Sequence, residues 1–169
     1  MNNKLKTNFK KQALKTKFNN EVISELEKYF NIELAIDYKE FLLNYGSVLF
    51  ELGLPDSFIV KYDDEEKIEN ILNFLSFQEI IDAYSLLREK NKYDGEPQIE
   101  YHMIPIAYMN ESYSRNYILI NKKDNSIWCT KEVEDFDAEK VTGFIANSFT
   151  EFIKSLEDEN DLEDKLKIG

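Results

Sequence analysis

The sequence predicts an α+β domain: a mostly antiparallel, twisted sheet flanked by helices. Three observations carry that reading. Apolar residues recur at helical spacing near both ends of the chain and again in its middle, while short β-branched and aromatic runs fill the stretches between. Two of those runs are joined by Lys122-Lys123-Asp124-Asn125, a good hairpin turn. The third is content: 51 Leu, Ile, Val and Phe among 169 residues, about 30%, is well above the level at which a highly charged chain stays disordered.

Lys4 to Phe18 reads as a lysine-rich helix or arm, peripheral to the domain, with Phe9, Ala13, Leu14 and Phe18 as a rough apolar stripe. Val22, Ile23, Leu26, Tyr29 and Phe30 then share one face of a helix, for which Asn19 or Asn20 supplies the cap. From Asp37, the run Tyr38, Phe41, Leu42 and Tyr45 repeats at helical spacing until Gly46, a residue suited to the left-handed turn that ends a helix. Ser47 to Leu52 and Ser57 to Tyr62 resemble short strands with a turn at Gly53 and Pro55. Two readings stand for residues 67–75. Ile68, Ile71, Leu72 and Leu75 match a helix, which periodicity alone favours, whereas Phe74 and Leu75 close a strand equally well.

Gln78 to Lys90 is helical, with Ile80, Ile81, Tyr84 and Leu87 on one face and Arg88 and Lys90 near the negative end of the dipole. Asn91 to Pro97 is a polar loop. Tyr101 to Met109 follows as an apolar strand, and Pro105, which has no N–H for a ladder, places that part of it at an edge or end. Tyr113 to Asn121 and Ser126 to Thr130 are the strands on either side of the hairpin turn. Phe144 to Leu156 reads as the closing helix, with Ile145, Phe149, Phe152, Ile153 and Leu156 as its stripe. Six acids among the eight residues from Glu157 to Asp164 then extend or fray off that helix as a solvated tail. The expected organisation is an arm over 1–17, one domain over 18–157 and an acidic tail over 158–169.

Charge narrows the function classes. The chain carries 21 Lys+Arg against 33 Asp+Glu, a formal −12 with its one histidine, His102, neutral. Residues 1–17 hold six lysines and no acid, so the remainder sums to −18. Such a body repels phosphate backbones and is steered toward basic partners; nucleic-acid binding is not expected. No stretch approaches the ~20 apolar residues of a membrane span and no secretion signal is visible, so a soluble, cytoplasmic chain without membrane contact is expected. A single cysteine, Cys129, permits neither an internal disulfide nor a multi-cysteine zinc site. The five glycines, at 46, 53, 95, 143 and 169, form no phosphate-binding loop. No cofactor and no metal are expected.

His102 and Cys129, with Asn147 as a third member, are the only residues suggesting nucleophilic catalysis; a strand histidine and a half-buried thiol is the favoured alternative, and no catalytic residue is assigned. Asp63-Asp64-Glu65-Glu66 lacks the spacing of a calcium loop and reads as a solvated hairpin open to a basic partner. Glu132, Glu134, Asp135 and Asp137 form a second acidic cluster with the same two readings. Tyr101, Tyr108, Tyr113 and Tyr117 gather around one strand pair near Trp128, as core residues or as anchors on an exposed sheet face. In Tyr117 to Ile120 both faces are apolar enough to need covering; one meets helices, and the other is expected to offer the tyrosine-lined docking surface.

Three segments resemble the SUKH superfamily, the bacterial immunity-protein group that includes yeast cell-wall synthesis regulators. Leu34-Ala35-Ile36-Asp37-Tyr38-Lys39-Glu40-Phe41-Leu42 is similar to the segment in which a Leu-Pro step precedes an Asp-Tyr-Lys-x-Phe-Leu helix, with Ala35-Ile36 in place of proline. Met103-Ile104-Pro105-Ile106-Ala107-Tyr108, then Tyr117-Ile118-Leu119-Ile120 and Ser126-Ile127-Trp128, resemble the family's Pro-Ile-Ala strand, the next strand and its hairpin partner; Met109 to Tyr113 replaces the usual glycine-rich connection. Ile145-Ala146-Asn147-Ser148-Phe149-Thr150-Glu151-Phe152-Ile153 is close to the Ala-x-Ser-Phe-x-x-Phe signature, the most specific of the three. Pro105, Ile106, Ala107, Ser148, Phe149 and Phe152 are read as structural: Ser148 can bond local backbone and the two phenylalanines share a helical face.

The resemblance spans about residues 18–157 and implies a strand at 67–75. It further implies a protein that performs no catalysis and neutralises a polymorphic toxin by covering its active site; a nuclease with a cationic cleft is one such target. The contact residues expected from charge and aromatic content are Tyr62, Asp63, Asp64, Glu65, Glu66, Glu111, Tyr113, Tyr117, Trp128, Glu132 and Glu134. A regulatory or scaffolding domain acting on a cellular partner is the alternative, and an unrecognised hydrolase using His102 and Cys129 a third.

Overall fold

The computed structural model describes residues 1–13, 18–63, 65–90, 95–109, 116–130 and 142–168. Its sheet grows by hairpins. β1 (Ser57–Lys61) and β2 (Glu66–Phe74) pair from Lys61↔Glu66 to Ser57↔Asn70, across a turn in which the Tyr62 N–H donates to the Glu65 carbonyl at 2.8 Å. Residues 67–75 are thus strand as far as Phe74, as the resemblance implied and against the helical periodicity. β2 is hydrogen-bonded on both edges, and its apolar residues serve both faces, so their spacing along the chain carries no two-residue alternation.

β3 (Met103–Met109) joins β2 through Ile71↔Met109 and Phe74↔Ala107, with a register shift between. On its other edge it pairs with β4 (Asn116–Asn121), and a second shift falls between Pro105 and Ala107. Pro105 therefore lies beyond the end of the β2 ladder, where a missing N–H removes nothing, as its chemistry required. β4 continues into β5 (Ile127–Thr130) over the 122–125 turn, which Asn125 closes with φ 64° and an N–H donated to Asn121 at 2.8 Å.

β6 (Thr142–Ala146) corrects the expectation of a helix from Phe144. It pairs with β5 at Trp128↔Phe144 and Cys129↔Gly143, and meets β1 at Lys61↔Phe144, so the six antiparallel strands close into a barrel in chain order. At Gly143 a Cβ would stand 2.2 Å from Val60 Cγ1 and 2.6 Å from the Tyr62 ring; the strands meet this closely only because the side chain is absent. Ser47 to Leu52 is likewise not a strand. It makes one bridge, Leu49↔Asn73, and two backbone bonds to β2, occupying the lane beside β2 that β1 has left.

Helices cover the outside. α1 (Asn3–Ala13) is docked in the core rather than peripheral: Leu5 and Phe9 are 0% exposed, and the Phe9 ring centroid lies 5.6 Å from Phe41 and 5.3 Å from Phe50. Asn8 donates to the Leu49 carbonyl while Gln12 accepts the Leu49 N–H, tying the helix to the lane beside β2. Leu14 of the expected stripe lies outside the described residues. α2 (Asn20–Phe30) is capped by Asn19, whose side chain accepts the Val22 N–H at 2.9 Å, and it ends on Asn31 in the left-handed region. α3 (Ile36–Tyr45) stops at Gly46 (φ 67°), and α4 (Phe77–Arg88) opens on a capping box between Ser76 and Glu79.

α5 (Phe149–Ser155) starts where Ser148 accepts the Glu151 N–H at 3.2 Å. Its Phe149 and Phe152 pack on the sheet through Phe74 and Phe58, with centroids at 5.7 and 5.3 Å. Asp37, at the start of α3, reaches across to accept both the Thr150 N–H and hydroxyl. The acidic tail is not simply solvated. Ser57 and Glu157 exchange two backbone bonds at 3.0 Å, and α6 (Glu159–Ile168) buries Leu162.

Glu27 fastens α2 to α3. Its carboxylate accepts the Leu34 N–H at 3.0 Å and an ammonium hydrogen of Lys39 at 2.6 Å. Burial works against the charge, but these bonds outweigh it and hold the carboxyl below its ordinary value of 4.5. A group whose folded value is depressed stabilises the fold above its unfolded value and loses that contribution as pH falls through the folded one. Glu27→Gln is therefore expected to cost about 1 kcal/mol at pH 7. In urea titrations at a series of pH values, the gap to the parent chain should be flat from pH 7 to 5.5 and close progressively below 4.5; a gap that widens on acidification contradicts it.

Candidate functional site

Cys129 is fully buried in β5, its Sγ 3.7 Å from the Tyr62 hydroxyl. Burial pushes the thiol up to about 12, so it holds its proton. His102 lies opposite Lys122, one residue beyond the Met103↔Asn121 pair and so four positions along the sheet from Ile118↔Cys129. That is a separation of roughly 13 Å along the strands. Asn147 is engaged with Glu151 at the start of α5. The three do not assemble. Among the described residues, no three His, Cys, Asp or Glu side chains converge to hold a metal ion, and no helix is long and apolar enough to cross a membrane.

The acidic and aromatic residues fare differently. In an antiparallel barrel wound in chain order, connections alternate between its two ends. The β1–β2, β3–β4 and β5–β6 connections consequently leave from one end, where Lys61↔Glu66, Met109↔Asn116 and Thr130↔Thr142 are the anchoring pairs. Residues 62–66, the 110–115 connection with Glu111 and Tyr113, and the 131–141 connection with Glu132 and Glu134 are all rooted there. Asp64, Glu111, Tyr113, Glu132, Glu134, Asp135 and Asp137 lie outside the described residues.

Of the described acids, Asp63 and Glu66 are exposed and Glu65 half-buried. Glu65 pairs with Lys67 at 2.9 Å and Glu66 with Lys61 at 3.4 Å; ion pairs this open to water hold little energy and exchange readily. Trp128 is half-buried, donates from Nε1 to the Ser126 hydroxyl at 2.7 Å and stacks edge-on against Phe144.

Two expected contact residues are instead core. Tyr62 is 8% exposed, and burial, with Cys129 beside it, raises its phenol well above the ordinary value. Tyr117 is 2% exposed, its ring 5.0 Å from Tyr108. Tyr117, Ile118, Leu119 and Ile120 are all buried, so neither face of β4 is open: barrel closure turns one face inward and the other lies under cover. The free tyrosine-lined face does not exist on this strand. Sequence reasoning also passed over Tyr29 as a surface residue and did not single out Tyr101 among its neighbours; they are 51% and 54% exposed. Position on a helix edge and in a turn would have marked them.

Fold and site together define a helix-flanked antiparallel barrel in which, among the described residues, no nucleophile is assembled. The chain belongs to the SMI1 / KNR4 family (SUKH-1), whose model matches residues 17–155. α1 and α6 both lie outside that match; α1 packs into the same core through Leu5 and Phe9, and α6 buries Leu162. No curated protein and no solved structure matches the chain.

Proposed function

We propose that the protein is an immunity protein that acts in the bacterial cytoplasm, binding a polymorphic toxin and covering its active site. Membership of the SUKH-1 family is consistent with that role. The single observation that carries the reading to a surface is the common root, at one barrel end, of three segments whose acids are far apart in sequence. The partner is basic, a nuclease with a cationic cleft being the target this charge suits best. Asp63, Asp64, Glu65, Glu66, Glu111, Glu132 and Glu134 supply long-range capture, while Tyr113 and Trp128 supply desolvated contact once the surfaces meet. Nothing in this action requires a catalytic group or a cofactor.

Steering of this kind is screened by salt. Stopped-flow association with the toxin encoded next to this gene should slow about tenfold or more between 20 and 300 mM salt. Reversing Asp63, Asp64, Glu65 and Glu66 to Lys should lower the on-rate by a similar factor while leaving the circular dichroism spectrum unchanged. An on-rate indifferent to both salt and charge reversal contradicts electrostatic capture.

A further inference from the structure

α3 and α5 are pinned together where they start. Asp37 accepts the Thr150 N–H at 2.7 Å and its hydroxyl at 2.9 Å, while its second oxygen accepts the Tyr38 N–H at 2.9 Å. A groove of about 210 Å³ lies between the two helices, with Met1 at its edge. Its floor is apolar: Phe149 and Ile153 of α5 meet Phe41 of α3, the two rings being 5.1 Å apart. Its walls carry opposite charges, Glu40 on α3 and Lys154 on α5, both exposed.

Neither wall charge is met by the protein. Among the described residues, Glu40 and Lys154 form no ion pair with each other or with any other group. The neighbours that could answer them are engaged elsewhere: Lys39 is held by Glu27 at 2.6 Å, and Glu151 accepts the Asn147 N–H and side-chain amide, each at 3.1 Å. The Asp37 carboxylate is spent on joining the helices. One small ligand with an ammonium, a carboxylate and a hydrocarbon group would satisfy both walls and cover the floor. Size narrows the class, since the groove has room for about seven waters and is smaller than the ~300 Å³ at which drug-sized sites begin. We propose that it is a binding site for a free amino acid with a large apolar side chain. Glu40 takes the α-ammonium, Lys154 the α-carboxylate, and Phe41, Phe149 and Ile153 the side chain. A residue inside a polypeptide lacks both α-charges, so the occupant is the free zwitterion and not a partner's side chain. The groove shares no residue with the acid-bearing connections, and the proposal does not depend on their binding a toxin.

The test is an amide chemical-shift titration of the full chain with L-phenylalanine. Saturable shifts are expected at residues 40–45 and 149–154, with a Kd of about 1 mM, ordinary for so small a ligand in an open groove. N-acetyl-L-phenylalanine lacks the ammonium and L-phenylalaninamide lacks the carboxylate; each should bind about tenfold more weakly. Glu40→Gln should weaken phenylalanine about tenfold without weakening N-acetylphenylalanine, and Lys154→Gln should do the same with respect to phenylalaninamide. Both side chains are exposed, so amides elsewhere in the chain should not move. The proposal is overturned if those amides fail to saturate up to about twenty times the expected Kd. It is equally overturned if either blocked compound binds as tightly as the zwitterion, or if each variant weakens free and blocked forms alike.

Discussion

Phe74→Ala is expected to lower the unfolding free energy by about 4 kcal/mol. Phe74 ends β2 with 1% of its surface exposed. Its ring centroid lies 4.6 Å from Phe41, 5.7 Å from Phe149, 6.1 Å from Phe50 and 6.5 Å from both Phe9 and Phe152. One side chain therefore joins the sheet to α1, α3, α5 and the lane beside β2. Removing it leaves a cavity whose walls belong to five segments and cannot all move inward. For a domain of ordinary stability this is a third or more of the total. Urea unfolding followed by fluorescence should show the midpoint shifted sharply down, with Phe74→Leu costing about a third as much. A loss below about 1 kcal/mol would mean that the ring cluster is not the hub of the core.

Gly143→Ala ranks second, with an expected cost of about 3 kcal/mol. The requirement there is space, not a left-handed backbone. An added methyl would collide with Val60 Cγ1 and with the edge of the Tyr62 ring, so β1 and β6 must part at the pair that closes the barrel. Coupling distinguishes this from a loss of intrinsic strand preference. Val60→Ala removes the nearer obstacle, and in the double variant the two costs should add to distinctly less than their sum, by about 1 kcal/mol. Strict additivity would place the damage elsewhere. Because Tyr62 still blocks the methyl at 2.6 Å, rescue should be partial.

The elements legible in the sequence were those whose signals are local. Asn19 at the start of α2, Gly46 at the end of α3 and the 122–125 turn act through their own backbone neighbours, and each lies where its chemistry placed it. β6 was hidden because Phe144 and Ile145 continue, in sequence, the apolar stripe of α5. What makes them strand is a ladder to β5 and contact with β1: the partners of Phe144, Trp128 and Lys61, are 16 and 83 residues away. The docking of α1 was hidden for the same reason: Phe9 finds its partners at Phe41, Phe50 and Phe74. In the candidate site, the acids were plain from composition. That their segments share one barrel end needed the topology, and the burial of Tyr62 and Tyr117 needed the closure that β6 supplies.

The most direct test of the account is a titration, with this chain, of the toxin that the proposed function expects an adjacent gene to encode, reading residual toxin activity against molar ratio. The account predicts a linear fall to zero at one inhibitor per toxin, with Cys129→Ala inhibiting as well as the parent. Activity that persists beyond a several-fold excess of folded chain, or inhibition that requires the Cys129 thiol, would contradict it.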